Sequence, residues 1–224
     1  ALPPHLEEAA GYVEQGFTGM KMKVGALSLK EDAERVRATR EAIGHDVRLM
    51  FDANESYDPS SALTFANMVA DQDITWFEEP CASRDFVANK MVQEKSPIPI
   101  SGGESLSTRW EFAPRFAERT FDIVQPDIEW AGGLSEILKI YTYAEAAGIE
   151  TITHMGANTA WGQHFAYAMP ETTLAEWFMD TDVGQPLSDK LMPGVPSAVE
   201  GKVVPSNAPG FGLEISEESI VPWD

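Results

Sequence analysis

Ile74-Thr75-Trp76-Phe77-Glu78-Glu79-Pro80 decides the fold: four apolar or β-branched residues that read as a strand run straight into two carboxylates and a proline. The same event occurs one unit earlier in Arg48-Leu49-Met50-Phe51-Asp52, and one unit later in Ile98-Pro99-Ile100-Ser101-Gly102-Gly103-Glu104. The acids stand at positions 52, 78 and 104, an interval of 26 residues each time. A period of roughly 20–50 residues marks a repeated supersecondary unit, and a strand, a crossover helix and two loops fill this one. Each repeat then brings one carboxylate to the same end of the next strand. A single acid there is as readily a helix cap, but three at equal spacing argue for a shared site. Carboxylates gathered in this way repel unless a cation lies among them, and an all-oxygen set suits a hard divalent ion such as Mg²⁺. Asp52, Glu78 and Glu104 are therefore read as one metal site.

Composition narrows the class. The 224 residues, 43% of them hydrophobic, suffice for one large core, and α/β barrels commonly exceed the usual domain size. No apolar run is long enough to span a membrane, and no secretory h-region opens the chain. The single cysteine, Cys81, excludes an internal disulfide and agrees with a reducing, cytoplasmic compartment. A net charge of −20 argues against nucleic-acid or anionic-membrane partners, which need basic surfaces.

In chain order, residues 3–15 read as a helix stopped at Gly16, with no strand before it. Met20-Lys21-Met22-Lys23-Val24 alternates strictly, so the two lysines share one strand face. In a barrel that face is the interior, and both lysines point into its mouth. Helices are expected at 31–43, 60–70, 84–95, 108–119, 135–147 and 159–169, with Pro114 kinking or delaying the fourth. Strands are expected at 47–52, 74–78, 98–104, 122–127, 149–154 and 173–178. Seven strands thus alternate with helices, and each carries a polar residue at or near its end: Lys23, Asp52, Glu78, Glu104, Asp127, His154 and Glu176. Parallel strands joined by right-handed crossovers close into a (β/α)₈ TIM-type barrel whose C-terminal strand ends hold the active site. Seven is one short, and the missing first strand is expected at the N-terminus. The barrel domain is assigned to residues 1–191. Residues 192–224, with Pro193, Pro196, Pro205, Pro209, Gly210 and Gly212, form an irregular segment packed over it. His5, His45 and His164 fall away from strand ends and carry a structural reading.

The ordered set Lys21-Met22-Lys23, Asp52-Ala53-Asn54, Glu78-Glu79-Pro80, Gly103-Glu104, Pro126-Asp127 with Gly132-Gly133, His154 and Glu176 resembles the enolase superfamily, specifically its mandelate racemase subgroup, over nearly the whole chain. The resemblance implies an N-terminal α+β capping domain that this stretch lacks along with the first barrel strand. It also implies a proton abstraction next to a substrate carboxylate, with Mg²⁺ stabilising the charge that develops. Lys23 is the expected base on one face, and the like charge of Lys21 would lower its pKa. His154 serves the other face, and Asp127 accepts its ring N–H and fixes the tautomer. By resemblance Glu176 hydrogen-bonds the substrate carboxylate, which requires it to be protonated or shared with a lysine. Glu79 should point away from the metal.

A lysine and a histidine on opposite faces permit racemisation, β-elimination of water or cycloisomerisation. Gly102-Gly103-Glu104 through Thr108-Arg109-Trp110, Asp122 through Gly133, and Pro209-Gly210-Phe211-Gly212 look most like acid-sugar dehydratases of the rhamnonate type. The expected function is therefore a Mg²⁺-dependent sugar-acid dehydratase. A racemase, a cycloisomerase or an inactive barrel fragment are the alternatives. An uncovered edge and apolar mouth would favour homo-oligomers.

Overall fold

Three five-residue strands, β1 (Gly19–Lys23), β2 (Arg48–Asp52) and β3 (Ile74–Glu78), lie side by side and parallel, and shorter strands β4 (Ile100–Gly102), β5 (Ile123–Val124) and β6 (Glu150–Thr151) continue the sheet. The structure is a computed structural model that describes residues 3–180, 185–186 and 194–213. Strand order follows chain order from β1 to β6, and every neighbouring pair is parallel. Each crossover therefore leads to the adjacent strand, as in the wall of a (β/α) barrel rather than a doubly wound sheet, whose order reverses. The intervening helices are α1 (Pro4–Glu14), α2 (Leu29–Ile43), α3 (Pro59–Met68), α4 (Phe86–Lys95), α5 (Thr108–Glu118), α6 (Ile128–Ala131), α7 (Leu134–Ala146) and α8 (Ala160–Ala168).

Helix starts are set by side-chain caps. Ser28 and Glu31 form a reciprocal capping box that begins α2 two residues before the predicted start. Asp58, followed by Pro59 at the first helical position, starts α3, while Asp85 starts α4 and Thr159 starts α8. Pro114 lies inside α5, which begins where predicted and runs through it to Glu118.

Strand alternation divides the core into two layers. Leu49, Phe51 and Phe77 belong to the large cluster beneath the helices, where the rings of Phe51 and Phe77 meet edge-on at 4.8 Å and both pack on Phe65 of α3. Met50, Trp76, Ile123 and Ile152 form a separate buried cluster with Leu174 against it, which is the barrel interior. Asp52 follows Met50 by two residues and Glu78 follows Trp76 by two, so both carboxylates share that interior face. Register completes the row, because Lys23 pairs with Asp52 and Asp52 with Glu78.

One predicted strand is corrected. Residues 173–178 make no ladder with β6. Instead Ala157 N–H donates to the Glu176 carbonyl at 2.8 Å, and Asn158 bonds the Phe178 backbone on both sides, at 2.7 and 2.9 Å. The 155–158 turn after β6 thus takes the place of a strand partner. The short strands Met179–Asp180 and Gln185–Pro186 form their own antiparallel pair. A short helix, α6, fills part of the interval between the strand expected at 122–127 and α7. The described residues 194–213 pack on the rest of the chain: Gln163 of α8 donates to the Pro196 carbonyl at 2.8 Å, and Phe211 stacks edge-on against Trp161. Gly201 and Gly16, both at positive φ, touch so closely that a Cβ on Gly201 would meet the Gly16 carbonyl. The predicted boundary at 191/192 lies outside the described residues.

Candidate active site and metal centre

One carboxylate oxygen from each of Asp52, Glu78 and Glu104 lies within 4.8 Å of the others, and Asp52 and Glu78 are fully buried. At such separations a pair of unit charges repels by about 3–4 kcal/mol at an effective dielectric near 20. Lysines answer part of this charge. Lys21 Nζ donates to Glu78 Oε2 at 2.7 Å and also contacts Glu176 Oε1. Lys23 Nζ lies 2.5 Å from Asp52 Oδ2 and 2.6 Å from Asn54 Oδ1. Lys21 sits deep, with 15% of its side chain exposed, whereas Lys23 stands at the mouth with 57% exposed. Four carboxylates therefore face two ammonium groups.

The surplus negative charge registers in the titration of the site. Burial pulls the Lys21 ammonium down, yet Glu176, Glu78 and Asp52 outweigh it and hold its pKa well above the ordinary value. Burial pushes Glu78 up to about 7 despite its bond to Lys21, because Glu176 and Asp52 add repulsion. Burial would also raise Glu176, but the Lys21 ammonium and His154 hold it below its usual range, and Met155 N–H donates to its Oε2 at 2.7 Å. Glu176 is thus shared with a lysine, one of the two states expected of it.

His154 Nδ1 lies 3.0 Å from Asp127 Oδ2, and His154 Nε2 lies 3.4 Å from Glu104 Oε2. Asp127 also caps α6 by accepting from Trp130 N–H at 2.8 Å. Burial works against the imidazolium, but the Asp127 hydrogen bond, Glu176 and Glu104 push the His154 pKa up to about 9. Burial likewise opposes ionised Asp127, while His154 and the Trp130 N–H hold its pKa below the ordinary value. All eight predicted site residues therefore gather at one end of the parallel strands. Glu79, at φ 38°, accepts from Ser83 and Ser105, and after burial the nearby carboxylates of Glu104 and Asp52 add to the rise in its pKa.

Several neighbours escaped the sequence reading. Gln125 Nε2 donates to Glu78 Oε2 at 2.7 Å, and Trp76 Nε1 reaches the same oxygen at 3.3 Å. Period two offered a signal for Gln125, a polar residue two positions after inward-facing Ile123. Glu78 Oε1 is buried without any hydrogen-bond partner, and buried Glu104 Oε2 has only the 3.4 Å approach of His154 Nε2. Orphaned carboxylate oxygens in an oxygen-only cluster fit a hard divalent cation, and Asp52, Glu78 and Glu104 could hold one.

Parallel strands in chain order, with acids, lysines and an Asp–His pair gathered at their ends, define an α/β-barrel protein with a carboxylate centre suited to a divalent ion. The profile of the enolase C-terminal domain-like family matches residues 5–219, and the chain belongs to that family. Arabinonate dehydratase of Saccharolobus solfataricus is 35% identical over 94% of this chain and 56% of its own. D-Galactarolactone cycloisomerase of Agrobacterium fabrum is 34% identical over 92% of this chain and 56% of its own. The crystal structure of L-talarate dehydratase from Polaromonas sp. JS666, complexed with Mg and L-glucarate, superposes with a TM-score of 0.82 at 29% identity, covering 95% of this chain and 56% of that one. The chain spans about half the length of the curated relatives it matches.

Proposed function

We propose that the protein is a Mg²⁺-dependent acid-sugar dehydratase that removes the proton α to a substrate carboxylate and expels water from the next carbon. The observation that carries this reading is the placement of the Lys21–Lys23 pair and the Asp127–His154 pair around one carboxylate centre. Asp52, Glu78 and Glu104 would hold the ion, which when bound supplies Lewis-acid stabilisation of the negative charge developing on the substrate carboxylate. Glu176, fixed by Lys21 and the Met155 N–H, takes the substrate carboxylate from the other side. Lys23 Nζ, once it has given up one proton and is the neutral amine, accepts the proton from C2 on one face. Asp127 holds the His154 ring through Nδ1, so Nε2 is the atom that moves a proton on the other face. In dehydration the C2–H electron pair becomes the C2–C3 π bond as the C3–O bond breaks. The departing hydroxyl leaves as water with a proton from the acid, and the enol tautomerises to a 2-keto-3-deoxy acid.

A second reading, cycloisomerisation, is supported by the cycloisomerase relative, whose identity is within one per cent of that of the dehydratase relative. One experiment decides between them. The protein, purified as its gene encodes it, is incubated with Mg²⁺ in D₂O and a panel of five- and six-carbon aldonic, aldaric and lactone substrates. A dehydratase yields a 2-keto-3-deoxy acid detectable as its semicarbazone, whereas a cycloisomerase yields an isomer with no loss of water. Absence of keto acid, of isomer and of C2 exchange with every panel member would overturn both.

A further inference from the structure

The cavity in front of His154 has a volume of about 510 Å³ and is lined by Glu104, Ser105, Asp127, Glu129, Trp130 and His154. Among them, Glu129 and Trp130 have no part in the proposed proton transfers or the metal centre. Trp130 is 63% exposed, unusual for so large an apolar side chain, yet it is not free to turn. Its indole Nε1 donates to the Ser105 carbonyl at 2.9 Å, and its backbone N–H donates to Asp127 Oδ1 at 2.8 Å. The ring is thus held by the strand-end loop that carries Glu104 and by the partner of His154. Beside it, Glu129 Oε1 accepts from Trp161 Nε1 at 2.5 Å, which fixes that carboxylate on the cavity wall.

A flat, pre-oriented aromatic face beside a fixed acceptor suits one kind of ligand. The face of an indole is electron-rich, and the C–H bonds of a polyhydroxylated carbon chain present weakly positive hydrogens to it. The hydroxyls of the same chain need acceptors, which a carboxylate supplies. We infer that Trp130 is a specificity-determining residue whose indole face takes the C–H face of the substrate chain beyond C3, with Glu129 accepting from its hydroxyls. The inference rests on the sugar-acid reading above and adds that chain length is read at this wall.

Two readouts test it, one of them independent of turnover. Tryptophan fluorescence is titrated with five- and six-carbon aldonates and aldarates and with lactate, a three-carbon 2-hydroxy acid, in wild type, Trp130→Phe and Trp110→Phe. Trp110 is exposed on α5 beneath Arg109, away from the cavity, and its variant should keep the wild-type response. At least one long-chain acid should change the emission of wild type and Trp110→Phe, and Trp130→Phe should lose that change. In binding, Trp130→Ala and Trp130→Leu should weaken the long-chain acid about tenfold relative to lactate, and Trp130→Phe, which keeps a ring, should weaken it less. An unaltered ratio in both Trp130→Ala and Trp130→Leu, or no Trp130-dependent fluorescence change with any acid, overturns the inference. Product formation with that unaltered ratio leaves the dehydratase reading standing without it. A Trp130-dependent response without C2 exchange or product leaves the binding wall standing without the reaction.

Discussion

His154 Nδ1 lies 3.0 Å from Asp127 Oδ2, and the same two residues form a parallel backbone bridge just beyond the ends of β5 and β6. Backbone and side chain thus register the pair together. The His154 pKa is raised from 6.5 to about 9, with burial opposed by Asp127 and by the charges of Glu176 and Glu104. In Asp127→Asn the histidine pKa should fall by about 1–2 units, read from the ring proton shifts by NMR. The sign for stability follows from a raised histidine pKa. The pair's contribution is fully present below the unfolded value of 6.5 and is lost as pH rises through about 9. Asp127→Asn should therefore lower Tm more at pH 6 than at pH 9.5. An equal loss at both values would show that the pair does not titrate as described.

Glu78 and Glu79 are both raised to about 7, by burial first and then by neighbouring carboxylates. A raised carboxylate contributes stability below its unfolded value of 4.5, and that contribution is lost as pH rises through about 7. The metal-free protein should accordingly lose stability across this window. Mg²⁺ should restore it at pH 8, where the carboxylates are ionised, and should do little at pH 5, where protons compete. At a concentration roughly a hundredfold above half-saturation the gain is about 2.7 kcal/mol, or roughly 5–10 °C in Tm for a chain of this size. Glu78→Gln should abolish most of that gain. A Tm indifferent to Mg²⁺ at pH 8 would remove Asp52, Glu78 and Glu104 as a metal centre.

The cluster of three acids and the strand alternation were legible because both follow from spacing. A period of 26 aligns strand ends, and a period of two puts Asp52 beneath Met50 and Glu78 beneath Trp76. The segment 173–178 misled because β-branched and aromatic composition reports a fit to a pleated surface, not the presence of a hydrogen-bonding neighbour. There the neighbour is the Met155–Asn158 turn, with Met155 at φ 50°, and no local pattern signals it. Contacts such as Gln125 to Glu78 and Trp130 to Ser105 join residues 47 and 25 positions apart. They become visible only once the strands are laid side by side.

The turn after β1 is pinned by a residue outside the site. Arg35 Nη1 donates to the Lys23 carbonyl at 3.1 Å and to Asp32 Oδ1 at 2.8 Å. Fully buried Asp32 in turn accepts from Gly25 N–H at 2.8 Å and from Tyr57 OH at 3.3 Å. Asp32→Ala would orphan Gly25 N–H and Tyr57 OH, and should cost about 1–3 kcal/mol of stability. Arg35→Ala leaves those bonds in place but frees the Lys23 carbonyl. Its kcat should fall on the order of tenfold with KM little changed, because misplacement of a proton-transfer group acts on the chemical step. Arg35→Lys, which can still reach the carbonyl, should recover part of the loss. A rise in KM with kcat unchanged would assign Arg35 to binding instead.

Lys23 meets the carboxylate centre at Asp52 and His154 meets it at Glu104, and in the proposed dehydration their tasks differ. One takes the C2 proton, and the other protonates the departing C3 hydroxyl or later delivers a proton to the enol. Replacing either should abolish formation of the keto acid, with a loss of at least about a hundredfold. Exchange of the C2 proton with solvent needs only the base on the proton's own face. One of Lys23→Ala and His154→Asn should therefore still incorporate deuterium at C2 of unreacted substrate, and the other should not. The retained variant identifies the leaving-group acid by elimination, so the stereochemistry at C2 of the true substrate can be inferred from it. Dehydration at the wild-type rate by both variants would remove these two residues from the reaction, whatever the fold.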